Sequence, residues 1–289
     1  MKRQFLFLSF FALVFTACSE DFFESTASIK VPEQAPRLAV TAHLAAGDTT
    51  LRVFVSHSLG ILSNSQPDII ANANVELSKD GQLLATIPFV EGLLYEQALP
   101  NPLPADLSEY RLMVSAPGYD ATEALQTMPA IVPILSASYE VDGAINSDGE
   151  KVDELTVEFQ DPPGEDNYYA IRVWVLYDDN GYKDEWYLDN LDVLAEDLGD
   201  DLVIKDDSFD GKKYKWRFST YHFAEPGTAK MLVQLRSISK DKYLFLKSAW
   251  LSEENNDNPF AEPVIIHNNI VGGYGIFSLE AKSEMQIDL

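Results

Sequence analysis

The chain is predicted to be all-β: two tandem β-sandwiches, an Ig- or transthyretin-like one and then a fibronectin-III-like one, with one helix near the C-terminus. Three observations predict this. Short runs alternating apolar and polar residues recur from Arg37 onward, the period expected of half-buried strands. Asp80-Gly81 lies between two such runs, and a two-residue hairpin turn of type I′ needs positive φ at both central positions. Met128-Pro129-Ala130-Ile131-Val132-Pro133 then divides the runs into two groups, because its prolines favour extended backbone and cannot serve a central strand.

The first sandwich is placed at residues 36–130. Leu38, Val40 and Ala42 alternate with Ala39 and Thr41, and Leu51, Val53 and Val55 alternate with Arg52 and Phe54. Asn74-Val75-Glu76-Leu77-Ser78 alternates again, turns at Asp80-Gly81 and returns over residues 82–89. Glu109-Tyr110-Arg111-Leu112-Met113-Val114-Ser115 is a further strand, closed by Ala116-Pro117-Gly118-Tyr119. Val40, Val53, Val55, Val75, Leu77, Leu112 and Val114 are the expected core.

The second sandwich is placed at residues 131–289, with strands over 134–142, 154–160, 168–177, 213–220 and 230–239. The runs Leu155-Thr156-Val157-Glu158-Phe159 and Tyr168-Tyr169-Ala170-Ile171-Arg172-Val173 resemble the B and C strands of a fibronectin-type-III sandwich. A helix is expected at 240–251, where Tyr243, Leu246 and Trp250 share one face.

Residues 1–17 read as an export signal: Lys2 and Arg3, an apolar run over 5–14 too short to span a bilayer, then Phe15-Thr16-Ala17-Cys18. The single cysteine, Cys18, resembles the lipidated residue of a bacterial lipobox; the alternative is an ordinary signal peptide cut near Ala17. Ser19-Glu20-Asp21 resembles the acidic export signal of surface-exposed Bacteroidota lipoproteins. Residues 18–35, with Pro32 and no periodic pattern, are expected to be a flexible tether.

Charge narrows the function classes. The net −25 becomes −27 once Lys2 and Arg3 are removed, which excludes a nucleic-acid footprint and broad contact with anionic lipid. The expected membrane link is through acyl chains alone. A hydrophobic content of 46% supports packed cores, not disorder.

No catalytic constellation can be assembled. No nucleophile-elbow pattern occurs, and His43, His57, His222 and His267 have no zinc-motif spacing, although His43 and His57 fall on adjacent strands and could meet. Asp206, Ser208 and Asp210, with Gly211 next, place oxygen ligands as an EF-type calcium loop does, but Arg217 stands where the bidentate Glu belongs. A solvated acidic loop is the alternative, and no other cofactor is expected. With 46 acids, pairs of carboxylates carry no information about glycosidase chemistry. Trp174, Trp186, Tyr187 and Trp216 could stack on sugars; on sandwich strands they are expected mainly as packing.

Two C-terminal stretches carry a family resemblance: Asn258-Pro259-Phe260-Ala261-Glu262-Pro263-Val264, and Asn268-Asn269-Ile270-Val271-Gly272-Gly273-Tyr274-Gly275-Ile276-Phe277. Together with the lipobox, Arg37-Leu38-Ala39-Val40-Thr41-Ala42 and residues 110–119, they resemble a Bacteroidota outer-membrane lipoprotein family catalogued as domain of unknown function 4249. The resemblance implies a surface-exposed outer-membrane lipoprotein, a non-enzymatic accessory to a TonB-dependent receptor in nutrient uptake. It brings no catalytic residue. The alternative is a free-standing glycan-binding or adhesin-like lipoprotein. Gly272, Gly273 and Gly275 are expected to permit positive φ or close approach where the chain enters its last strand.

Overall fold

The computed structural model describes residues 34–60, 63, 65–90, 92, 94–146, 148–177, 183–222, 229–256, 258 and 260–289. Residues 36–59 and 64–289 form one compact unit. Its first lobe carries β1 (Leu38–Ala45), β2 (Thr50–His57), β3 (Asn74–Lys79), β4 (Gln82–Thr86), β5 (Phe89–Val90), β6 (Leu94–Ala98), β7 (Glu109–Ser115) and β8 (Thr122–Thr127). The second carries β9 (Ile134–Ile145), β10 (Lys151–Gln160), β11 (Tyr168–Tyr177), β12 (Lys183–Glu185), β13 (Asp189–Asn190), β14 (Ala195–Asp197), β15 (Leu202–Lys205), β16 (Lys213–Thr220), β17 (Ala229–Ile238), helix α1 (Lys240–Asn256) and β18 (Tyr274–Asp288).

The all-β class and sandwich packing are as expected, but the lobes are not separate. One ten-stranded sheet runs β14-β15-β11-β17-β18-β1-β2-β6-β5, with β12 also on β11. Two four-stranded sheets, β4-β3-β7-β8 and β13-β16-β10-β9, supply the other layer. The division at 130/131 is thus a division of sequence that the long sheet crosses. Strand β18 makes the crossing. Residues 274–280 pair parallel with β1, and residues 280–288 pair antiparallel with β17. Fifteen residues at about 3.3 Å each reach some 50 Å, enough to serve both lobes. Ser283 of β18 also fastens the interlobe segment, accepting from the Ile134 N–H at 3.1 Å and donating to the Val132 carbonyl at 2.9 Å.

Each lobe has its own apolar core. In the first, Val40, Val53 and Val55 meet Val75, Leu77, Leu112 and Val114, and β18 adds Phe277, Leu279 and Ala281. All seven expected core residues are buried. In the second, Leu155, Val157, Phe159, Trp216 and Phe218 meet Tyr169, Ile171, Val173, Met231, Val233 and Leu235. The hairpin turn forms as its residues require, with Asp80 at φ 48° and Gly81 at φ 78°. Its return strand stops at Thr86, short of the expected 89. The helix begins where expected and runs five residues past 251, to Asn256.

Candidate functional site

Helix α1 lies on the outer face of the long sheet, over a patch of Tyr168, Ala170, Val203 and Ile238 against which Tyr243, Leu246 and Trp250 pack. Ser239 caps its start, its Oγ accepting from the Lys242 N–H. Beside this patch the sheet presents charge. Lys242 pairs with Glu280, Arg236 donates to Asp201 Oδ1 at 2.5 Å, and His43 Nδ1 lies 2.6 Å from Ser278 Oγ. Burial pushes the Lys242 ammonium down from its ordinary range. Burial alone would raise Glu280; Lys242 and Arg236 beside it outweigh that and hold its carboxyl low. His43 is pushed down to about 4 by burial and then by the Lys242 charge. Ser278 is buried, so the His43–Ser278 contact is an orienting bond without an accessible nucleophile.

The segment between α1 and β18 is a strap, and the family-signature residues build it. Asp241 at the start of α1 accepts from Gln126 Nε2 at 2.5 Å and Asn269 Nδ2 at 3.3 Å, with His267 Nε2 at 2.6 Å. Burial opposes ionisation of Asp241, but these three partners outweigh it and keep the carboxyl below the usual range. Asn269 also bonds both backbone groups of Phe277, and Val271 exchanges two backbone bonds with Glu123. Gly275 has φ +115°, and a Cβ there would stand 1.9 Å from the Val40 carbonyl oxygen. A Cβ at Gly273 would stand 2.6 Å from the Leu38 carbonyl oxygen, so these glycines admit β1 against β18. Asn258 Oδ1 accepts from the Phe260 N–H at 3.1 Å. Phe260, Glu262, Pro263 and Gly272 are exposed.

The loop expected to hold calcium has different geometry. Phe209 is buried and stacks on Tyr214 with ring centroids 3.9 Å apart, which leaves the neighbouring Ser208 facing solvent. Asp206 and Asp210 instead meet Asp161, from the end of β10. Both oxygens of Asp161 are used, accepting from Tyr169 Oη at 2.5 Å and the Gly211 N–H at 2.8 Å. Asp210 accepts from the Gly164 N–H at 2.7 Å. Arg217 pairs diagonally with Glu154 of β10, two residues from its direct neighbour Thr156. Every group close enough to share a metal among the described residues is made of aspartates, with no histidine. His43 and His57 do not meet, because the β1–β2 register sets His57 opposite Leu38, five residues from His43 and about 17 Å along the strand.

A cleft of about 380 Å³ opens at the edge of β11. That edge is served by β15 over residues 168–171 and by β12 over residues 174–176, and the Trp186 N–H carries the pairing on to the Val173 carbonyl at 2.7 Å, leaving a narrow break at Arg172. Arg172, Glu185, Trp186, Tyr187, Asp197 and Asp200 line the opening, over a floor that includes Leu188 and Leu202. Of the aromatics singled out in the sequence, Trp216 is core, Trp174 lies beneath the Lys183 ammonium at 4.8 Å, and Trp186 and Tyr187 line this cleft. The charged lining carried no sequence signal, since single acids mean little in so acidic a chain. An Arg on a strand next to an aromatic pair is the one clue that could have found it.

Cys18, Ser19, Glu20, Asp21 and Pro259 lie outside the described residues. The described residues contain no helix long and apolar enough to cross a membrane.

The strap, its glycines and β18 give the C-terminal signature a structural meaning, and the sequence comparison agrees: the profile of the domain of unknown function DUF4249 matches residues 24–286. The chain belongs to that family. None of the curated proteins matches it. Among solved structures it is similar to a DUF4785 family protein from Legionella pneumophila, at 12% identity and TM-score 0.24, over 71% of this chain and 53% of that one. It thus spans about half the length of that protein. It is also similar to the yeast delta-COP-I mu-homology domain complexed with a Dsl1 WxWxV peptide, at 9% identity and TM-score 0.22, over 88% and 97% of the two chains. Scores this low carry no functional argument.

Proposed function

We propose that this chain is a surface-exposed outer-membrane lipoprotein, a non-enzymatic binding module that serves a TonB-dependent receptor in nutrient uptake. The carrying observation is its N-terminal address: a basic start, a short apolar run, and a single cysteine, Cys18, followed by Ser19-Glu20-Asp21. Membership of DUF4249 is consistent with this reading. In it, acylated Cys18 anchors the protein, residues 19–35 set its reach, and the two-lobed body makes the contacts. Tethering in the same membrane raises the effective concentration of receptor and module for one another, so modest contacts suffice. The strap supplies apolar contact groups: Phe260 is 94% exposed and Ile265 91%.

The test is affinity purification of tagged full-length protein from native outer membranes in mild detergent, with partners identified by mass spectrometry. The expected result is a TonB-dependent receptor recovered near one-to-one, and lost in Cys18→Ala together with membrane association. Recovery of the lipoprotein alone, while it is still displayed at the cell surface, overturns the receptor partnership.

A further inference from the structure

We infer that the cleft at the break in the β11 edge binds a neutral saccharide, held by Tyr187 as a stacking face and by Arg172 and Asp200 as hydrogen-bonding groups. The inference does not rest on the receptor partnership, since a free-standing module could bind sugar equally well.

The fold leaves two tyrosines outside. Tyr187 is 56% exposed and Tyr221 67%, with ring centroids 6.3 Å apart. The backbone beneath them is locked. Thr220 Oγ1 accepts from Trp186 Nε1 at 2.5 Å and donates to the Tyr187 carbonyl at 3.0 Å. Two large aromatic side chains thus stand exposed beside each other on a held backbone, which contributes little burial to folding but leaves the Tyr187 ring at the cleft as an apolar surface for a ligand.

Part of the polar lining is held in place. Both ion-pair contacts of Arg172 run through Nε, to Asp201 at 3.2 Å and Glu185 at 3.6 Å, so among the described residues its terminal amino groups remain available to a ligand. Arg236, on the same face of the sheet, holds the same Asp201 oxygen, so the anchor of Arg172 is itself anchored. Asp197 Oδ1 accepts from the Gly199 N–H at 3.2 Å, while Asp200 has no partner among the described residues. The lining thus offers the held Arg172 and Asp197 beside an unpartnered Asp200 carboxylate, donors and acceptors side by side.

That mixture selects the ligand class. An anion entering the cleft would meet the carboxylates of Glu185, Asp197 and Asp200, and a cation would meet the Arg172 guanidinium. A neutral polyol uses both, with neighbouring hydroxyls bridging donor and acceptor while its C–H face lies on an aromatic ring. The volume, about 380 Å³, is at the small end of small-molecule sites, about 300–1,000 Å³, and suits the end of an oligosaccharide.

The test uses purified full-length protein in a sugar-free detergent, probed with malto-, cello-, xylo- and manno-oligosaccharides. Alginate oligosaccharides and spermidine serve as the anionic and cationic comparisons, and intrinsic tryptophan fluorescence is the readout. The expected result is saturable binding of at least one neutral oligosaccharide, weakened about ten-fold in Tyr187→Ala and in Asp200→Ala, with Tyr187→Phe close to wild type. Both positions are exposed, and unchanged melting temperatures confirm that the variants fold. The inference is overturned if no neutral oligosaccharide binds, if both alanine variants bind as the wild type does, or if alginate or spermidine binds more tightly than every neutral probe. Because receptor recovery is not measured, failure here leaves the receptor partnership standing.

Discussion

The two faces of the long sheet are stabilised by different physics. The inner face is apolar and closed by the two small sheets: Val40, Phe277 and Leu279 over one, Val173, Val233 and Leu235 over the other. The outer face, carried on the same strands, holds His43, Ser278, Glu280 and Arg236 and is closed by a helix and a strap through ion pairs and amide hydrogen bonds beside a small apolar patch. Apolar contacts are non-directional, so the inner face tolerates exchange of similar shapes. The outer face depends on particular partners, because a buried charge left alone costs far more than a pair removed together.

The contrast can be broken or sharpened experimentally. The largest effect is expected where the two faces share backbone. Gly275→Ala would drive a Cβ into the Val40 carbonyl at a positive φ, separating β18 from β1, and should cost more than about 4 kcal/mol or abolish folding. A soluble variant with wild-type urea midpoint would show that the parallel pairing is dispensable. On the inner face, Phe277→Ala should cost about 3–5 kcal/mol by the same measurement, with Phe277→Leu costing much less. On the outer face, Lys242→Met should cost about 3 kcal/mol by removing the ion-pair partner of Glu280 and leaving only Arg236 near it, while Lys242→Met with Glu280→Leu should recover most of that loss. Additive losses in the double variant would mean the outer face is merely another apolar layer.

Acid should act in part through the outer face. His43 has a folded value of about 4 against an ordinary 6.5, so between these the unfolded chain binds a proton that the folded chain does not. Stability therefore falls as pH drops from 6.5 toward 4. Asp241 acts in the same sense at lower pH: its contribution is complete above its ordinary 3.8 and is lost as pH falls through its depressed folded value. His43→Gln should flatten the upper part of a melting-temperature profile and leave the lower part. A profile unchanged by that substitution would remove His43 from the account. The smallest effect is expected at the cleft mouth, where Tyr187→Ala should change stability by less than about 0.5 kcal/mol, since the ring is over half exposed.

The same contrast explains what could be read from sequence. Val53, Val75, Leu112 and Val114 announce the inner face because alternation is a local pattern that any buried strand must carry. Strands β13 and β14 have two and three residues, too few to hold a period, and exist because β16 and β15 offer them edges. The pairing of β1 with β18 has no local mark apart from the glycines that permit it. At the candidate calcium loop, local spacing proposed Ser208, while burial of Phe209 set Asp161 there in its place. Arg172 gains its meaning from Asp201 and Glu185, neither of which is its neighbour in sequence.

Strand β18 makes this a protein whose cores close late. His43 and Ser278, side by side across β1 and β18, are 235 residues apart in the chain. A chain made from its N-terminus presents β1 with an open edge until residues 274–280 emerge, and contacts so distant in sequence slow folding. Any product truncated before β18 leaves both cores unfinished at once, so the fold checks its own length.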